Sequence, residues 1–154
     1  MIQRIQTIYL LLAEVLIGVL FFVPLANIST KENLLYRFDI QGIFQEGASL
    51  AATDKYNWLI ILFWAVCFIL LLTSIFMFRN RKKQIRFSVI TLLCCLSLDL
   101  FVLYNIWNAS QMFSGNFSLT IYYVFPVISS VLIFLAIKAI EKDELLVRSI
   151  DRIR

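Results

Sequence analysis

The 154-residue chain is 61% hydrophobic and 15% aromatic, with only 16% charged residues and a mean hydropathy of +0.86. A water-soluble domain has about 45–50% apolar and about 25% charged residues, so this composition excludes an ordinary soluble globule and points to a membrane protein. The net charge of +4 and pI of about 9.1 do not imply nucleic acid, because the basic residues bracket apolar blocks and are not interleaved with aromatics in a patch.

The first apolar block, Ile5–Val23, contains LLLAEVLIGVL, in which Glu14 stands alone as a charge. A single Arg4 precedes the block, its apolar stretch exceeds the 7–15 residues of a usual signal h-region, and Pro24 sits where a small residue would precede a cut. The segment is therefore expected to be retained as a span. The loop 24–57 follows, and in it Tyr36, Phe38 and Ile40 alternate with Arg37, Asp39 and Gln41. That is the period of a half-buried strand, with Gly42 and Gly47 offering turns. The second block, Trp58–Phe78, is interrupted only by Thr73 and Ser74.

The third block, Phe87–Trp107, follows the basic stretch RNRKKQIR and contains Asp99. After it, Phe117, Leu119 and Ile121 alternate with Ser118 and Thr120, a second strand signature in the short loop 108–118. The fourth block, Leu119–Ala139, has Pro126 a few residues in, where a proline can kink a helix. The tail 140–154 alternates in sign and places Leu146, Ile150 and Ile153 on one helical face, as expected of a helix continuing past the bilayer or of an amphipathic segment at the head groups.

Each block is close to the ~20 residues that cross a bilayer core, and unbroken apolar runs favour helices over barrel strands. The expected fold is one all-α domain, 1–154, a four-helix transmembrane bundle capped by a small extracytoplasmic β-element from the two outer loops. Arg4, Arg79, Arg81, Lys82, Lys83, Arg86, Lys138, Lys142, Arg148, Arg152 and Arg154 fall on one side, against Lys31, Arg37 and Lys55 on the other. The positive-inside rule therefore puts both termini in the cytoplasm. The plan is similar to the claudin-type tetraspan layout in topology alone. The Trp and paired-Cys signature of claudin first loops is absent, so no adhesive or paracellular role carries over.

The opening MIQRIQTIYLLLA, the closing AIKAIEKDELLVRSIDRIR, FRNRKKQIR in the middle and YYVFPV before the last span resemble a bacterial integral-membrane family, domain of unknown function 4293. The resemblance covers essentially the whole chain and implies a four-span protein of the bacterial inner membrane. It implies no activity, substrate or catalytic residue.

Within the spans, Glu14 and Asp99 lie about nine and twelve residues from the expected cytoplasmic starts of the first and third helices, so their depths match to within ~5 Å. A charged carboxylate at a bilayer centre costs ~2.5–3.5 kcal/mol on insertion scales, and such groups face protein or water. Helical spacing puts Gln3, Thr7, Glu14 and Gly18 on one side of the first span, and Ser88, Thr91, Cys95 and Asp99 on one side of the third. The expectation is a hydrogen-bonded Glu14–Asp99 pair joining these two helices, for which Glu14→Leu should destabilise far more than Glu14→Gln. The alternatives are a proton or cation site, or two acids that lie apart, each serving locally or facing a partner protein.

Cys67, Cys94 and Cys95 all fall inside spans and read as small apolar residues. With no histidine, the commonest general base and metal ligand is missing, and no phosphate loop, nucleophile elbow or HExxH helix occurs. No enzyme activity, metal or cofactor is expected. The expected partners are the lipid bilayer and a membrane protein or second copy, and the expected role is that of an accessory or structural subunit of an envelope complex. A proton- or cation-coupled transporter subunit is the alternative, and an intramembrane enzyme the third choice.

Overall fold

The computed structural model describes residues 5–30, 34–45, 51–53, 57–77 and 81–151. Helix α1 (Ile5–Val19) leads into strands β1 (Ala26–Ser29), β2 (Leu35–Phe38), β3 (Ile43–Gln45) and β4 (Ala51–Thr53). Helices α2 (Asn57–Phe76) and α3 (Arg81–Met112) follow, then β5 (Asn116–Leu119), a 3-10 turn (Ile121–Tyr123) and α4 (Val124–Asp151). Three stretches, Trp58–Phe76, Lys83–Met112 and Ile121–Leu145, are long and apolar enough to cross a membrane, whereas Ile5–Val19 is a shorter apolar helix.

Local chemistry explains where the helices depart from the expected spans. The 15 residues of α1 reach only ~22 Å. The chain leaves the helix through turns in which Phe21 N–H and Phe22 N–H bond Gly18 O and Val19 O, because Pro24 has no N–H to give and disfavours helix at the residue before it. Helix α3 begins inside the basic stretch, at Arg81, and is therefore longer than the third span. It ends in a Schellman motif, with Gly115 N–H bonded to Ser110 O and Ser114 N–H to Gln111 O. Pro126 is the third residue of α4, within the first turn, where a missing N–H breaks no helical bond. The kink anticipated there has no basis. Leu119 belongs to β5, so α4 starts later than the fourth span, and it runs on to Asp151 through most of the expected tail. Of the tail face, the side chains of Leu146 and Ile150, and all of Ile153, lie outside the described residues, as do Gln3, Arg79 and Gly47.

The sheet is antiparallel throughout, in the order β4-β3-β2-β1-β5. Both expected strand signatures form strands. However, the strands stop short of Ile40 and Ile121, and β4 and β1 are additional, Asn27 of β1 pairing with Arg37 on β2 and with Ser118 on β5. Strand β5 is exposed along its length, because it is an edge strand and not half-buried as its alternation suggested. The sheet sits at the end of the bundle where α1 and α3 finish. Leu25, just ahead of β1, extends both ladders, its N–H bonding Phe38 O and its carbonyl accepting from Thr120 N–H. Tyr36 also stacks on Phe113 with ring centroids 4.4 Å apart.

The helices form a ring in which α1 packs on α2 and α4, and α3 packs on the same two, which leaves α1 and α3 diagonal. The interior is mainly apolar but also holds polar side chains, while the outer face of the helices is apolar. Gln6, Glu14, Ser74, Gln84, Ser88, Thr91, Asp99, Ser129 and Ser130 are buried, while Ile8, Ile69, Leu93, Leu100 and Val131 are exposed. Polar groups turned inward under a coat of apolar side chains suit a hydrocarbon surround.

Candidate functional site

Helices α2 and α3 meet along a heptad-like seam fixed by one hydrogen bond, 2.7 Å between Ser74 Oγ and Ser88 Oγ. Stepping along both antiparallel helices by three and four residues from this layer sets Leu71 opposite Thr91, Cys67 opposite Cys95, Trp64 opposite Leu98 and Ile60 opposite Val102. All of these are buried except half-buried Trp64. Gln84 Nε2 donates to Ser74 O at 3.2 Å and closes the seam at that end. Thr91 spends its hydroxyl on Phe87 O of its own helix.

The sequence-predicted polar face of α3 is thus turned towards α2 and away from α1. Ser88 bonds Ser74, and the register this sets puts Cys95 opposite Cys67 one heptad along. Asp99 lies one turn beyond Cys95 on the same helix. The Tyr123 hydroxyl donates to the Asp99 backbone carbonyl at 3.1 Å, tying α4 to this level of α3, while Asp99 Oδ1 is buried without a partner.

The predicted face of α1 meets other neighbours. Ser129 Oγ donates to Ala13 O at 3.4 Å and so sets the level of Glu14 against α4. Trp64 Nε1 donates to Ile17 O at 2.8 Å, and Gly18 faces the Phe68 ring of α2. Thr7 is half-buried, and Gln6 beside it, not Thr7, makes the cross-helix bond, 2.9 Å to Asp143 Oδ2. Both Glu14 oxygens are buried with no hydrogen-bond partner.

Glu14 and Asp99 are therefore not joined by a hydrogen bond. They lie on diagonal helices, Glu14 beside the bond from Ser129 of α4 to Ala13 O and Asp99 at the bond from Tyr123 of the 3-10 turn ahead of α4. Counting about nine and about twelve residues from the expected span starts matched their depths but not their faces, and α1 and α3 are diagonal. What the structure brings together is Cys67, Cys95, Asp99 and Tyr123. Sequence reasoning read Cys67 as a small apolar residue and noted Ser74 only as an interruption of its apolar block. Their spacing of seven, mirrored by Ser88 and Cys95, was the signal that they share a seam.

These features define a class: a mainly helical protein with helices of membrane-crossing length, polar residues in its interior and a small antiparallel sheet at one end. The chain belongs to the family described as Domain of unknown function (DUF4293), whose model matches residues 2–153. No curated protein matches it.

Proposed function

We propose that this chain is a multi-pass protein of the bacterial inner membrane, with both termini in the cytoplasm and the sheet outside, acting as a non-enzymatic accessory subunit of an envelope assembly. The bias of basic residues towards one set of loops supports the orientation. One observation carries the role. Strand β5, Asn116–Leu119, is an exposed edge strand with no charged residue or proline, and among the described residues no strand pairs with its far side. Edges of this kind are normally blunted by charge, proline or a covering element, and an open one is a template for a partner's strand. A photo-crosslinking residue at Ser118, activated in native membranes, is expected to give one discrete protein adduct. Recovery of lipid adducts alone would overturn the role.

A second reading, a proton- or cation-coupled subunit, is favoured by the unpartnered carboxyl oxygens of Glu14 and Asp99. Buried polar atoms are normally satisfied, and a carboxyl that is not stands ready for a proton or a small cation. In proteoliposomes, Glu14→Gln and Asp99→Asn should each abolish a pH-gradient-driven flux seen with the unsubstituted protein. Absence of any flux in that protein removes this reading.

A further inference from the structure

We propose that Cys67 and Cys95 form a thiol-oxidation site, a dithiol that hydrogen peroxide converts into a disulfide bridging α2 and α3. The inference is independent of the accessory and transport readings. Both cysteines are 0% exposed and occupy the same layer of the α2–α3 seam. The register that pairs them is set one heptad away by Ser74 and Ser88, whose oxygens approach to 2.7 Å. That serine layer shows that a close small-residue contact needs no thiol. Two sulfurs in the equivalent layer add an ability that serine lacks, two-electron oxidation to a covalent bond.

Asp99 completes the site. It is one turn from Cys95, is 9% exposed and carries an unpartnered Oδ1. Because neither sulfur is exposed, the oxidant must be small and uncharged, which hydrogen peroxide is. The Cys67 thiol passes its proton to Asp99, and the thiolate attacks one peroxide oxygen. The O–O bond breaks, a sulfenic acid forms on Cys67, and the departing hydroxide recovers the proton from Asp99 and leaves as water. Cys95 Sγ then attacks Cys67 Sγ, so that the S–S bond forms and the S–O bond breaks. The released hydroxide takes the Cys95 proton as a second water. The two sulfurs lose two electrons and the two peroxide oxygens gain them. Cys94, half-buried and off the seam, takes no part.

The test uses full-length protein in lipid nanodiscs, treated with hydrogen peroxide, denatured, alkylated with N-ethylmaleimide and mapped by mass spectrometry without reduction. The unsubstituted chain is expected to fall from three free thiols to one, with a Cys67–Cys95 cross-linked peptide that has lost two hydrogens. Cys94→Ser should still form that peptide. Cys67→Ser and Cys95→Ser should form none, and dimedone should trap a sulfenic acid on Cys95 or Cys67 respectively. Retention of all three thiols in the unsubstituted chain, a bridge to Cys94, or a link between two chains would each overturn the proposal. The map of the unsubstituted chain decides even if a variant fails to fold.

Discussion

Glu14 shows how one residue changes meaning once its surroundings are known. As half of a hydrogen-bonded pair it would stabilise the bundle, but both of its oxygens are buried without partners. Leaving a buried polar group unsatisfied costs about 1–3 kcal/mol. Glu14→Leu is therefore expected to raise the stability of the detergent-solubilised protein by about that amount, with Glu14→Gln near the unsubstituted value, as read by chemical denaturation. This reverses the sign expected from sequence, and a destabilised leucine variant would restore the missing partner. A second pair of residues closes α3. Ser114 has φ 48°, the left-handed conformation at the Schellman position where glycine is usual, whereas a Cβ on the next residue, Gly115, would lie 2.5 Å from Ser29 O of β1. Ser114→Gly should stabilise by about 1 kcal/mol. Gly115→Ala should destabilise by about 1–3 kcal/mol, because the backbone oxygen it meets cannot swing aside. Thermal melts of both variants check the pair. That Glu14 and Asp99 are buried was legible from their place in apolar blocks. That they miss each other was not, since it depends on how far each helix is turned about its axis.

At the scale of elements, the α2–α3 seam has two layers of small residues, Ser74–Ser88 and Cys67–Cys95, beside layers of large apolar side chains. The Ser74–Ser88 bond should appear in a double-mutant cycle of Ser74→Ala and Ser88→Ala as a coupling of about 0.6 kcal/mol, with an upper range near 1.7, as for other interhelical hydrogen bonds in membranes. A coupling near zero would mean that the layer is held by packing alone. The strands were legible where alternation was local, at Tyr36–Phe38 and Phe117–Leu119. Strand β1, ANIS, was missed, because four residues after a proline carry too short a pattern to stand out. It is a strand because β2 and β5 offer their edges on either side. The last turn of the first span was lost to Pro24, a breaker that was visible in the sequence but was weighed only as a bar to cleavage.

At the scale of the whole molecule, sheet and bundle share one apolar cluster, in which Tyr36 of β2 stacks on Phe113 just past α3. An aromatic pair adds about 0.5–1.5 kcal/mol beyond its area. If the sheet opens as a unit, Phe113→Ala should speed hydrogen exchange of the β1 and β2 amides by roughly 2- to 10-fold and leave α2 amides unchanged. Equal acceleration in both regions would show that sheet and bundle unfold together. The amino-acid sequence by itself determined the membrane composition, the four apolar blocks, the one-sided distribution of basic residues and the two local strand signatures, because each is a property of residues near one another in the chain. Only the tertiary structure decided which faces meet: the diagonal placement of α1 and α3, the separation of Glu14 from Asp99, the pairing of β1 with β5 and the cysteine layer. The physical reason is that lipid and helix interior are both apolar. Hydrophobic periodicity therefore says little about which side of such a helix turns inward, and rotation is set by small residues and hydrogen bonds between helices far apart in sequence.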